Sequence, residues 1–464
     1  MEAVEELVKR ARNAQQAVKD YTQSQIDEVC LAVAWQMYND TNIQKLSRLA
    51  VDETKYGNYE SKVVKHKRKV GGVIQDVIGK PSVGLIERDE AKGLSKYAKP
   101  VGVVCAILPA TNPTATAGSN VVSVLKGRNA VIFRPSSRAA NCSKLAAEFM
   151  REGLRKVGAP EDLVVFAEGL DIDSTNLLMK KCDVVLATGG APMVRAAYSS
   201  GTPSYGVGVG NAVALVAEDA DVAGAAKMVT ASKTFDNATS CSSENSLIIH
   251  ESVYAPMVQA LKDCGGYLCS AEERKKLQDT LWKTNGKGKL ALNPDIVAQN
   301  AQAIAKMAGL DVPADTVMLL VEGTLPAELD IFSQEKLSPV LTLYPYNDFE
   351  AALDTYTRIA KRCGYGHSAG IHTFNRAYIE RMGEKLDASR ITVRQPMAAA
   401  NGGHATNCMP STTTLGCGTW GRNSTTENIN YKHFLNVTWV NEPVAAREFS
   451  EEALWGQYWE KYGK

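Results

Sequence analysis

From about residue 100, short unbroken apolar runs alternate with longer amphipathic stretches, and this alternation limits the fold more than any other feature. The runs fall at 101–108, 130–134, 163–167, 184–187 and 212–216. Between two of them, the stretch 143–157 places Ala146, Phe149 and Leu154 on one side, as an amphipathic helix does. Strands apolar along their whole length, separated by helices, predict an α/β fold with a parallel sheet covered on both faces. That layering is of the nucleotide-binding type. Residues 1–50 read as helical, because Val4, Leu7, Val8 and Ala11, then Ile26, Val29, Val33 and Met37, recur at helical spacing.

The chain of 464 residues is long enough for about three domains or subdomains. Lys and Arg number 52 against 51 Asp and Glu, which excludes a strongly basic nucleic-acid binder as the default. The run Lys62-Val-Val-Lys-His-Lys-Arg-Lys69 is basic, and a solvated helix face is expected there. No apolar run reaches the 18 residues or so of a membrane span. The first residues, MEAVEELVKRARNAQ, are acidic where a signal peptide is basic, so a cytoplasmic location and no membrane partner are expected. The ten cysteines form no CxxC pair, and Cys105 and Cys182, in or beside apolar runs, are expected to be buried. The six histidines show no ligand spacing, so no metal is expected.

A GxGxxG fingerprint is missing after the first strand, where Pro-Ala-Thr-Asn-Pro-Thr follows Leu108. Gly189-Gly190 and Gly206-Val-Gly-Val-Gly210 are the nearest substitutes. The first pair suits either a pyrophosphate at a helix start or simply a tight strand-to-helix turn.

Two residues have surroundings suited to chemistry. Cys241 lies in a loop of Ser, Thr and Asn, which can offer access and backbone N–H donors to a thiolate. Asn112, in Thr-Asn-Pro after an apolar run, suits a carboxamide donor to an oxyanion or an ordinary turn residue before proline. A second α/β pattern runs from there to about residue 425, with a helix at 254–263 and a strand at 340–344, and residues 430–441 read as an exposed strand able to pair between subunits.

The segments Pro100-Val-Gly-Val-Val-Cys-Ala-Ile-Leu-Pro-Ala-Thr-Asn-Pro113, Ala187-Thr-Gly-Gly-Ala-Pro, Gly206-Val-Gly-Val-Gly-Asn211, Phe235-Asp-Asn to Cys241-Ser-Ser-Glu244, Glu335-Lys-Leu-Ser-Pro339 and Leu415-Gly-Cys-Gly-Thr-Trp-Gly421 follow one another in the order of an aldehyde dehydrogenase. The chain resembles the CoA-acylating branch of that family, including the aldehyde dehydrogenase half of bifunctional aldehyde–alcohol dehydrogenases and, most closely, the acylating sulfoacetaldehyde dehydrogenases. The resemblance implies a Rossmann-like cofactor domain over 1–232, interrupted by arm strands near 85–105. It further implies an α/β catalytic domain over 233–425, and an oligomerisation strand and tail over 426–464. A homodimer or homotetramer is expected.

Carried over by motif, the resemblance implies that Cys241 is the nucleophile and Asn112 the oxyanion amide. It makes Glu335 the acid at the nicotinamide ribose, Arg134 the residue at the adenosine ribose, and Gly189 the helix start near the pyrophosphate. His367, in Gly-Tyr-Gly-His-Ser, matches a family histidine near the acyl group or CoA, or else is a structural turn histidine. Val207 stands where hydrolytic relatives carry a glutamate that activates water, which implies transfer of the acyl group to CoA. Ser137 and Arg138 replace the glutamate of NAD-specific relatives, so NADP is expected alongside NAD. Thr239 and Ser240 before the nucleophile, with Arg394 and Arg422 in the C-terminal loops, make the expected aldehyde anionic, with sulfoacetaldehyde as the best match. Surface ion pairs or CoA phosphates are other uses for those arginines. An acetaldehyde-type acylating enzyme, a hydrolytic dehydrogenase and a catalytically silent scaffold are the remaining alternatives.

Overall fold

The computed structural model describes residues 3–286 and 288–464. Four helices come first, Val4–Val18, Gln23–Gln36, Asp40–Thr54 and Tyr59–Val77. Thr22 and Gln25 close a capping box on the second, and Asn39 and Asn58 cap the third and fourth. The apolar residues read from their spacing are the buried ones: Val4, Leu7, Val8, Ala11, Ile26, Val29, Val33 and Met37.

Two parallel sheets follow. The first has five strands in the order Val164–Phe166, Ala130–Arg134, Val103–Ile107, Val184–Thr188 and Ser204–Val207. The helix Pro113–Lys126 is buried along its whole length, which fits a segment with few charged residues. The second sheet has seven strands in the order Gly266–Leu268, Met318–Glu322, Val340–Tyr346, Glu244–His250, Ala212–Val216, Ala369–His372 and Ile391–Val393. Ala212–Val216 thus pairs with Glu244–His250 and Ala369–His372 and takes no part in the first sheet. The chain changes sheets between residues 207 and 212.

The strands Gly84–Asp89, Leu94–Pro100 and Leu435–Asn441 form a separate antiparallel sheet, with the last at its edge. Val437, Trp439 and Val440 stand exposed on that edge strand. Buried Asn129 ties this arm to the first sheet: its Nδ2 donates to the Phe434 carbonyl at 2.8 Å, and its Oδ1 accepts from Val101 and Gly102 N–H. All ten cysteines are free thiols, and Cys105 and Cys182 are buried as expected. Among the described residues, no helix is long and apolar enough to cross a membrane.

Candidate active site

A cavity of about 470 Å³ lies beyond the carboxyl ends of the first sheet, where ligands bind in open α/β folds. Ile107, Arg134, Thr188 and Val207, each the last residue of its strand, line one side. The loop before Glu244–His250 brings Cys241 to the opposite side, with Asn112, Thr239, Ser240 and Glu335 around it.

That loop is held from the side. Asp236, Asn237 and Ala238 have φ of 51°, 51° and 60°, a run of left-handed residues that needs outside support. The Asp236 carboxylate accepts from Lys62 and Lys65 Nζ, from Thr239 Oγ1 at 2.7 Å and from Asn58 N–H at 3.0 Å. Asn237 Nδ2 donates to the Ala298 carbonyl at 2.9 Å. Close packing fixes the other flank, since a Cβ on Gly210 would lie 2.1 Å from the Cys241 carbonyl oxygen.

The supporting cations correct one sequence expectation. Lys62, Lys65 and His66 are only 4%, 7% and 1% exposed, so this part of the basic run is no solvated face. The carboxylate that makes burial of Lys62 and Lys65 tolerable stands more than 170 residues away in the sequence. Lys65, Arg68 and Lys69 all line the cavity. Sequence reasoning missed them, although their i, i+3, i+4 spacing marks a single helix face.

His367 is fully buried, with Nε2 3.2 Å from Cys241 Sγ and Nδ1 2.9 Å from Ser368 Oγ. Arg390 donates to the His367 carbonyl at 2.9 Å and to that of Gly416 at 2.7 Å, pinning the histidine's backbone. Burial, then the Arg390 charge, pushes the imidazole down to about 3. Burial, then Glu335 and Cys417, pushes the Cys241 thiol up to about 12. The resting pair is therefore neutral thiol and neutral imidazole, not the thiolate that the polar loop suggested. Desolvation outweighs the donors the loop supplies. Nε2 can accept from the thiol in the tautomer whose Nδ1–H donates to Ser368 Oγ.

Asn112 accepts from Lys65 Nζ through Oδ1, which leaves its NH₂ group as the donor toward the cavity. Glu335 lines the same wall, and burial pushes its carboxyl up to about 8. Val207 is buried against Leu415 and Cys417, with Cys241 packed on the group, so the wall at the sulfur is apolar there.

Of the residues assigned to the nucleotide, Arg134, Ser137 and Gly189 line the cavity. Arg134 donates to Thr175 Oγ1 at 3.1 Å and to the Pro135 carbonyl at 2.9 Å. Arg138 lies outside the cavity lining and donates to Tyr56 Oη at 2.7 Å. A Cβ on Gly189, Gly190 or Gly208 would meet nothing closer than 3.7 Å in the protein, so these glycines keep open a cradle that side chains would fill. Such a bare backbone wall at the start of the helix Ala191–Tyr198 fits a dinucleotide phosphate.

Thr239 and Ser240 line the cavity, but their hydroxyls bond Asp236 and Ser242. The two arginines expected at the substrate mouth line no part of it. Arg394 donates to the Thr373 carbonyl and stacks 4.5 Å from the Phe374 ring centre, and Arg422 sits at φ 56° just after the turn Thr419–Gly421. A nearby carbonyl and an aromatic face captured Arg394, and neither was visible in the sequence.

Comparison with known proteins agrees with this geometry. A model of the aldehyde dehydrogenase family matches residues 1–269. The chain is 59% identical, over all of both chains, to a sulfoacetaldehyde dehydrogenase (acylating) from Bilophila wadsworthia. It is similar to the crystal structure of an acetylating aldehyde dehydrogenase from Geobacillus thermoglucosidasius, with a TM-score of 0.91 and 36% identity, covering 96% of this chain and 98% of that one. It is also similar to a propionaldehyde dehydrogenase from Rhodopseudomonas palustris solved with bound propionyl-CoA, with a TM-score of 0.85 and 27% identity over 95% and 94% of the two chains.

Proposed function

The chain belongs to the aldehyde dehydrogenase family, and from that premise we propose that it oxidises an anionic aldehyde, sulfoacetaldehyde, and transfers the acyl group to CoA through a thioester on Cys241. The observation that carries this reading is the 3.2 Å approach of His367 Nε2 to Cys241 Sγ, in one cavity with Asn112 and the glycine cradle.

The residues act in a physical order. Cys241 Sγ attacks the aldehyde carbon, and because the resting pair is neutral, its proton passes to His367 Nε2 as the C–S bond forms. The developing alkoxide accepts from Asn112 Nδ2 and the Cys241 N–H, a type of donor worth about 10²–10³ in rate. Arg134, Ser137, Gly189 and Glu335 would hold a nicotinamide dinucleotide, which when bound supplies the acceptor for hydride. The acyl group then remains on the sulfur as a thioester. Val207 offers no carboxylate to activate water, and Glu335, with a carboxyl raised to about 8, is mostly protonated at neutral pH. A CoA thiol that has lost its proton to solvent attacks the thioester, and the Cys241 sulfur leaves with the proton returned by His367, which restores the neutral pair. The same steps reversed reduce an acyl-CoA to the aldehyde.

Ser137 leaves the cavity without the carboxylate that would repel a 2′-phosphate, which supports use of NADP as well as NAD. Arg138, bonded to Tyr56, adds no support to that reading as it stands. The domain division of the family, with cofactor, catalytic and arm parts, accords with the three larger sheets. The open edge of Leu435–Asn441 supports pairing between copies as a homodimer or homotetramer.

One assay tests the reading. NAD(P)H formation from sulfoacetaldehyde is followed with and without CoA, and the trapped acyl group is located by mass spectrometry. CoA-dependent turnover with the adduct on Cys241 is expected. Turnover independent of CoA, or an adduct elsewhere, overturns it.

A further inference from the structure

Arg394 and Arg422 leave the substrate's charge unanswered, and the cavity answers it from another element. On the helix Tyr59–Val77, Lys65, Arg68 and Lys69 face the cavity together. Lys65 is spoken for: it binds Asp236, Thr239 and the Asn112 carboxamide. Arg68 and Lys69 form no ion pair with any carboxylate among the described residues. Among the described residues Lys69 Nζ donates only to the Gly402 carbonyl, at 2.7 Å, and Arg68 leans over the Phe235 ring at 5.7 Å. Three cations thus share one wall with a single carboxylate behind it, and two of them meet no anion among the described residues. Burial and the Lys65 charge already push the Lys69 ammonium down to about 8, so an anion beside it would be welcome.

We propose that Arg68 and Lys69 bind the anionic group of the aldehyde, and that this pair sets the preference for a charged substrate. The proposal rests on the acylating dehydrogenase reading and names the recognition element of that same site. Length separates it from binding of CoA phosphates. Lys65 touches the oxyanion amide, and Lys69 follows it four residues on, about 6 Å along the axis. A sulfonate one carbon from the carbonyl spans a gap of that order. The phosphates of CoA are held several times farther from its thiol by the pantetheine arm.

Among the described residues Arg68 makes no hydrogen bond that shapes the fold, so Arg68→Gln removes a charge cleanly, and Lys69→Met provides a second variant. Each is compared with the wild type on sulfoacetaldehyde and on propanal, a neutral aldehyde of similar size, with the KM for CoA measured in parallel. Arg68→Gln is expected to lower kcat/KM for sulfoacetaldehyde about 10- to 100-fold, the value of a charge-assisted contact, and to leave propanal within about twofold. Arg68→Lys is expected to restore part of the loss. Equal losses on both aldehydes, or a raised KM for CoA with unchanged discrimination, overturns the proposal.

Ethanesulfonate, which cannot react, probes the anion site without turnover. It is expected to compete with aldehyde in the wild type and to lose that effect in both variants; inhibition that survives both substitutions overturns the proposal. A wild type that acylates CoA from propanal but ignores sulfoacetaldehyde removes the substrate reading. A wild type that prefers sulfoacetaldehyde while both variants retain the preference removes only the assignment to Arg68 and Lys69.

Discussion

His367 Nε2 lies 3.2 Å from Cys241 Sγ, and both groups are uncharged at rest because burial acts on them in opposite directions, lowering the imidazole to about 3 and raising the thiol to about 12. The site stores a proton donor and its acceptor side by side and separates charge only when carbon bonds to sulfur.

His367→Asn is expected to lower kcat/KM by about 10²–10⁴ while leaving the fold intact. Because the folded imidazole titrates near 3, no acid limb assignable to it should appear in kcat/KM between pH 5 and 7. A wild-type ionisation near 6.5 that vanishes in the variant would contradict the neutral pair.

Val207→Glu places a carboxylate in the apolar group on which Cys241 packs. Release of free acid without CoA should rise at least about 10-fold, since a positioned general base contributes on that scale or more. Product analysis by mass spectrometry separates acid from acyl-CoA. Unchanged hydrolysis in a folded variant would mean that something other than the missing carboxylate excludes water.

Asp236→Asn leaves Lys62 and Lys65 buried without their carboxylate, at an expected cost of about 3–5 kcal/mol in chemical denaturation. Asn tolerates the left-handed φ of 51°, so the loss reports charge and not backbone strain. The Lys65 and Lys62 charges, against the opposing effect of burial, hold the Asp236 carboxyl below its usual 3.8. Its contribution is therefore present above about 4 and lost as pH falls through the lower folded value. The stability gap between wild type and variant should shrink in that acid window, and a gap that stays constant into strong acid would refute the assignment.

Gly210→Ala forces a Cβ to within 2.1 Å of the Cys241 carbonyl oxygen, so the nucleophile loop must shift. A displacement of about 1 Å is enough to cost on the order of 10² in kcat. Cofactor affinity, measured by fluorescence titration, should fall less than turnover, because Gly210 N–H bonds Glu335 while the cradle at Gly189 and Gly190 is a separate wall. Wild-type turnover in this variant would show that the contact is soft.

Four strands of the first sheet and the helical spacing of residues 1–50 were legible; the fifth strand, Ser204–Val207, was not, because its glycine hides the apolar pattern. Runs such as Val103–Ile107 are apolar without alternation, which only a strand covered on both faces requires. Cys241, Asn112 and Glu335 were legible through their motifs, and the cavity holds all three. The strand Ala212–Val216 was legible as a strand but not as a member of the second sheet, since its apolar pattern suits either.

The sequence by itself determined the periodicities, the caps and the motif order, because each depends on neighbours within a few positions. Only the tertiary structure decided where the charges went. It buried Lys62 and Lys65 against Asp236, turned Arg394 to a carbonyl and a ring, and set Arg68 and Lys69 on the cavity wall. A charged side chain's position follows from which partner compensates its desolvation, and that partner can lie anywhere in the chain.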